Sequence, residues 1–238
     1  RHDTQKQASQ THASDTDRAT SVGEERTDRA GTADGGRDNY PLLYGLRIVA
    51  TLAAVALVFP GYREVPFRVS FAAIPVGIIG GLVWIAVCRL ALAHRLFSAL
   101  GIASWMSLGA RQAFNPLTAF DDSLLTLVGF LAVRFLGLAL VVPLIEEFFL
   151  RGFVMRFFVQ AQWWTIPLGS VTTSSAIVAT VYGVMAHPGE PLAAAVWFTM
   201  ITFLYSRTRN IWDCVVAHAI TNAILGVYVL LWKDWTLW

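Results

Sequence analysis

From residue 40 onward the chain is a succession of apolar windows separated by short polar or Pro/Gly breaks. The windows lie at 42–60, 70–92, 123–145, 171–187, 191–206 and 211–232. A hydrocarbon core about 30 Å thick takes roughly 20 apolar residues as a helix. The pattern therefore predicts an all-α, polytopic membrane helix bundle of about six transmembrane helices, or six to eight if weaker segments also cross. The fourth and fifth windows are split by His187-Pro188-Gly189-Glu190-Pro191, where two prolines and a glycine end one helix and start the next. Residues 95–120, with Trp105, Met106, Arg111 and Phe114, read as interfacial or re-entrant. Residues 148–164 mix Phe with Arg151, Arg156 and two Trp, as a helix does on reaching the headgroups, and Trp232, Trp235, Trp238 and Lys233 repeat that signature.

Before residue 40 the pattern reverses. Residues 1–39 hold six of the chain's 18 Lys/Arg and eight of its 16 Asp/Glu, without one Leu, Ile, Met, Phe or Trp. Such a segment buries too little apolar area to offset its ordering entropy, and we read 1–39 as a disordered polar tail. Residues 40–238 then form the membrane domain. The whole-chain values, 55% hydrophobic, 14% charged and mean hydropathy +0.54, confirm that this is no ordinary soluble domain. A net charge of +2 with no basic stripe argues against a nucleic-acid partner. Two cysteines, Cys88 and Cys214, both inside apolar windows, give no disulfide framework.

Ionisable groups within a span cost at least a few kcal/mol each and are functional suspects by default. Glu146 and Glu147 end one window, His187 ends another, and His218 lies inside the last. On a helix, Glu147 and Arg151 are i,i+4 and about 40° apart, whereas Glu146 lies about 140° from Arg151. One carboxylate is then neutralised by a guanidinium and the other is free on a different face, which suits a base beside a structural partner. His218 and Asn222 are also i,i+4, and an imidazole and a carboxamide on one face can polarise a carbonyl or hold an oxyanion.

Bland readings exist for each part. A Glu-Glu pair at a helix end is usually a solvated cap, His218 beside Thr221 and Asn222 serves as interhelical polar glue, and His187 beside Pro188 simply faces water. Arg134 snorkels or pairs with Asp121 or Asp122, and Cys214 with His218 is a thiol–imidazole dyad only if both are reactive. Three sets on three separate segments are harder to explain by packing alone.

Glu146-Glu147-Phe148-Phe149-Leu150-Arg151, then His187 at the end of a later span, then His218-x-x-x-Asn222, resembles the three-part signature of the CAAX-protease and bacteriocin-processing family of polytopic membrane endopeptidases. The resemblance covers about residues 123–232. One departure is visible: where the family places an aromatic residue four before the His, this chain has Gly183, with Tyr182 beside it. Tyr40-Pro41-Leu42-Leu43-Tyr44-Gly45-Leu46 and Trp235-Thr236-Leu237-Trp238 resemble the bacterial branch that accompanies exosortase and PEP-CTERM sorting systems.

The resemblance implies an intramembrane endopeptidase, multi-pass and in a bacterial inner membrane, cutting a membrane-anchored or lipid-modified protein, with an exosortase system as a partner. Glu146 would take the proton of the attacking water, His187 would position that water, and His218 and Asn222 would hold the oxyanion. Glu147 and Arg151 would support the helix end. No cofactor is expected in that mechanism. The rival chemistry is a zinc protease with Glu146, His187 and His218 as ligands. Against it, the chain lacks a His-Glu-x-x-His pair on one helix face. A rival of another class is a non-catalytic membrane partner, binding a peptide or conferring immunity. A transporter gains little, because no pair of broken-helix repeats appears.

Overall fold

The computed structural model describes residues 39–102, 104 and 113–237. The reading of 1–39 as a disordered tail falls almost wholly outside them, as do Trp105, Met106, Arg111 and Trp238. The described residues are helical, with no strand among them. We number the helices α1 Tyr40–Arg63, α2 Ala73–Arg89, α3 Leu92–Ala99, α4 Pro116–Ala119, α5 Leu124–Val159, α6 Thr173–Ala186, α7 Pro191–Thr208 and α8 Ile211–Trp232. The chain divides into two compact units after Leu46. The first contributes the opening turns of α1, where the Tyr40 and Tyr44 rings lie 6.2 Å apart. Everything below concerns the second.

Local chemistry explains where the helices start and stop. Side-chain oxygens of Asn115, Ser123 and Asn210 accept the first free amides of α4, α5 and α8, and Thr172 and Ser175 close a reciprocal capping box on α6. Pro191 opens α7, as the loop sequence predicts. Three non-glycine residues with positive φ, Ala91, Arg209 and Lys233, end α2, α7 and α8.

Three helices, α1, α5 and α8, are long and apolar enough to cross a membrane, and α2 with α3, bent by 52°, makes a fourth if the pair is one span. The windows at 171–187 and 191–206 become α6 and α7, of 14 and 18 residues. Hydropathy windows register composition but not helix breaks, so they give six segments where length and composition, among the described residues, support three or four spans. The third window falls short for the opposite reason, since its helix runs on to Val159. Outward-facing residues are apolar, with Leu57 and Leu125 exposed to 83% and 84%. Such surfaces suit lipid.

α5 is wound irregularly. Gly137–Val141 and Phe148–Val154 are π-helical, flanking a short α segment, Val142–Glu147. Pro143 sits inside that segment and has no N–H to give to the preceding turn. The amide of Val142 bonds to Gly137 O, so the next carbonyl, Leu138 O, would need the amide that Pro143 lacks. Asn222 Nδ2 fills the gap, donating to Leu138 O at 2.7 Å. Local i→i+5 winding commonly marks functional positions.

The most intimate helix pair is α2 against α8, and glycines permit it. A Cβ at Gly77 would lie 2.7 Å from Ala217 O, one at Gly80 2.8 Å from Thr221 Oγ1, and one at Gly81 3.0 Å from the Ile224 side chain. In lipid, where apolar burial gives little drive, such close backbone approach supplies the van der Waals contact that holds helices together. Thr221 spans the seam, donating to Gly77 O at 2.9 Å and accepting from Trp197 Nε1 at 3.1 Å. The start of α8 is clamped to the 65–70 linker. The fully buried Asp213 accepts from Ser70 N and Ser70 Oγ, while Asn210 Nδ2 and Trp212 Nε1 donate to Arg68 O and Val65 O. Gly77→Ala meets backbone at 2.7 Å, whereas Gly81→Ala meets only side-chain atoms of Ile224, the nearest at 3.0 Å. We expect the first to cost about 1–3 kcal/mol and to lower the thermal midpoint in detergent clearly more than the second. Equal shifts would contradict the packing described.

Candidate active site

Buried charge defines the site. Glu147 and Arg151 are both fully buried, in the heart of α5. Glu147 Oε2 lies 3.1 Å from Arg151 Nε, the i,i+4 pair that the sequence spacing predicts. The two are poorly aligned for a hydrogen bond, so the contact is an ion pair. The other oxygen, Oε1, lies 3.0 Å from His218 Nδ1. That contact joins residues 71 positions apart, and i,i+4 reasoning on either helix does not reach it. The guanidinium of Arg151 also sits 5.5 Å over the Phe198 ring, and Tyr205 OH donates to the Arg151 carbonyl.

Glu146 faces elsewhere. Its Oε2 is buried with no hydrogen-bond partner, close enough to His218, Glu147 and Arg151 for their charges to interact. The division of labour read from the helix angles thus has a structural counterpart: Glu147 is tied on both oxygens, and Glu146 keeps one oxygen unengaged.

His218 is 4% exposed and packs on Trp197, ring centroids 4.4 Å apart. With Nδ1 turned to Glu147, Nε2 is the ring atom left for other chemistry. His187 ends α6 with Nδ1 3.0 Å from Gly183 O, its ring edge-on to Trp84 and near Phe198. A cavity of about 150 Å³, room for a few waters, is lined by His187, His218, Asn222, Thr221, Arg134 and Glu190, among others. Three of the four predicted catalytic residues therefore share a cavity wall, while neither Glu146 nor Glu147 lines it. Asn222, expected as an oxyanion donor, spends one amide hydrogen on Leu138 O. The Cys214 thiol turns to the carbonyls of Asn210 and Ile201, and His218 Nδ1 turns to Glu147, so the pair forms no thiol–imidazole bond.

Position 183 explains the departure from the expected motif. A Cβ there would come 2.1 Å from the Phe198 ring. Phe198, fully buried between Arg151, Tyr182 and His187, occupies the space an aromatic at 183 would need. The sequence signal was Gly183 itself, and its partner 15 residues later was not legible. For zinc, the donors do not converge: among the described residues no three His, Cys, Asp or Glu are grouped as a metal ion requires.

Residues 128–224 match the family model described as Type II CAAX prenyl endopeptidase Rce1-like. That segment includes Glu146, Glu147, Arg151, His187, His218 and Asn222, so the likeness to that family spans every one of these residues. Together with the apolar helices, the match makes this an integral membrane protein. No curated protein and no solved structure matches the chain.

Arg151 is the sole cation seen on Glu147 among the described contacts apart from the titratable His218. Removing it leaves a buried carboxylate poorly compensated, which typically costs about 3–5 kcal/mol. Arg151→Gln should therefore unfold at markedly lower temperature than the wild type in the same detergent. An unchanged midpoint would show that the pair contributes nothing to the fold.

Proposed function

We propose that the protein is an intramembrane endopeptidase that hydrolyses a peptide bond in a membrane-anchored protein with water activated by Glu146. The observation that carries this reading is the unengaged, buried Oε2 of Glu146 beside a second carboxylate held on both oxygens. A base must be within hydrogen-bond reach of the proton it takes and must have a lone pair to take it with, and Glu146 Oε2 supplies one. His187, anchored through Nδ1 to Gly183 O, would direct the water toward the scissile carbonyl. A His218 ring protonated on both nitrogens would donate Nδ1–H to Glu147 and Nε2–H to the oxyanion. The second amide hydrogen of Asn222 would complete the oxyanion site, a donor typically worth about 2.7–4 kcal/mol. Collapse of the tetrahedral intermediate returns the proton from Glu146 to the leaving amine, so atoms and protons balance.

The family match supports peptidase chemistry on membrane-anchored proteins. The likeness of residues 40–46 and 235–238 to the exosortase-associated branch supports a protein of such a sorting system as the substrate. Zinc is not part of this reading.

The test uses purified full-length protein in nanodiscs with quenched, membrane-anchored peptides. Wild type should cleave, with or without chelator, and Glu146→Ala should lose at least about a hundredfold in rate. Loss of activity with chelator and its return with zinc would replace the carboxylate mechanism with a metal one. Cleavage undiminished in Glu146→Ala would remove Glu146 from the chemistry.

A further inference from the structure

The helix of His218 and Asn222 borders two hollows. One face of α8, through Asn222, Leu225, Gly226 and Val229, lines the cavity described above. On another, an apolar groove of about 520 Å³ runs between α2 and α8, walled by Leu82, Ile85, Ile224, Val227 and Leu231. Sites that hold small ligands commonly measure about 300–1,000 Å³. Leu82, Val227 and Leu231 are exposed, so the groove opens on the outer surface, where a bilayer's hydrocarbon would lie.

Charge marks one end of the groove. α2 and α8 run side by side in the same direction, Gly77 against Ala217 and Gly81 against Ile224, so their C-terminal ends lie together. There Arg89 Nη1 donates to Tyr228 OH at 3.0 Å. Tyr228 is itself a groove residue, its ring stacked on that of Trp232 at 5.1 Å. The phenol engages one N–H of a guanidinium that has five, on a residue that is exposed. Lys233, also exposed, follows Trp232 directly. Asp234 is close enough to act on the Arg89 charge, and the two cations outweigh that one anion. At 22 residues α8 is long enough to cross a bilayer, which brings its Trp232–Lys233 end to the headgroups.

We propose that this groove binds an anionic glycerophospholipid of the surrounding bilayer, one acyl chain between α2 and α8 and the phosphate on Arg89 and Lys233. The charge pattern selects the occupant. A phosphate accepts from guanidinium and ammonium together, and basic residues at the membrane surface favour anionic lipids. A choline headgroup brings its own cation to the same end, and a diacylglycerol brings no phosphate. A chain lying there also fills the outer side of the seam that Gly77, Gly80 and Gly81 hold close, and so seats α8 with its cavity face. The site stands apart from the protease reading, because none of its residues takes part in the proposed hydrolysis.

Native mass spectrometry of the full-length protein in lipid-free detergent provides the test. Phosphatidylglycerol, phosphatidylcholine and diacylglycerol with identical acyl chains are titrated separately. Phosphatidylglycerol should bind at least about tenfold more tightly than either of the others, and should raise the thermal midpoint as its concentration rises. Arg89→Gln combined with Lys233→Gln should abolish the difference between the lipids. Ala223→Leu, which fills the groove, should weaken phosphatidylglycerol by a similar factor. The midpoint of each variant without lipid reports its fold, and Val227→Phe, on the exposed side of the groove, replaces Ala223→Leu if that variant fails to fold. Equal binding of the three lipids, or a preference that survives loss of both cations, overturns the headgroup site. Undiminished binding in the groove-filling variant overturns the placement of the chain. An uncharged lipid-modified peptide that binds as tightly as phosphatidylglycerol assigns the groove to a substrate's anchor instead. A dimer that forms without lipid and is lost in the groove-filling variant assigns it to a second copy of the chain, and either result overturns the proposal.

Discussion

A carboxylate buried without compensation is among the most expensive things a protein can hold, and Glu147 is fully buried in a helix suited to a bilayer. Its two oxygens are met from different directions, by Arg151 one turn along α5 and by His218 from α8. Each partner constrains the other. Arg151 fixes which face of α5 turns inward, and the contact to His218 then fixes how α8 lies against it. The close α2–α8 seam through Gly77, Gly80 and Gly81 holds α8 at that depth.

The irregular winding of α5 follows from the same need. Pro143 interrupts the amide ladder four residues before Glu147, and the break exposes Leu138 O, which Asn222 satisfies. A residue of the proposed oxyanion site thus also repairs the helix that carries the proposed base. His218 has a similar double engagement, held by Glu147 on one nitrogen and free to work with the other. Both residues come from α8 and both are pinned to α5, so positioning for chemistry and helix–helix attachment are one set of contacts.

The parts of this arrangement that depend on a single helix were legible in the sequence. The Glu147–Arg151 pair follows from a four-residue spacing, the His187–Pro191 break from two prolines and a glycine, and α8 from an apolar run with the same bounds, Ile211–Trp232. What depends on a second helix was not. The bond between His218 and Glu147 joins distant segments, and the packing of Phe198 into the space above Gly183 requires knowing how α6 and α7 cross. Two signals were present but unused. The Gly77-x-x-Gly80-Gly81 spacing marks a close helix approach, and Asp213 is a carboxylate one turn into an apolar helix, paired with Ser70. The expected span count of about six stands above the three or four helices that pass by length and composition among the described residues, because window hydropathy does not register the turn at Leu90-Ala91 or the short length of α6.

The central claim is that neighbouring glutamates have opposite duties, Glu147 holding the structure and Glu146 leaving an oxygen for chemistry. Thermal unfolding of Glu146→Gln and Glu147→Gln, side by side in one detergent, tests it most directly, because the two changes are chemically identical and one residue apart. The account predicts that Glu147→Gln, which weakens the contacts to both Arg151 and His218, lowers the midpoint by at least several degrees, while Glu146→Gln leaves it near the wild-type value or above. Equal midpoints, or a larger loss at Glu146, would contradict it.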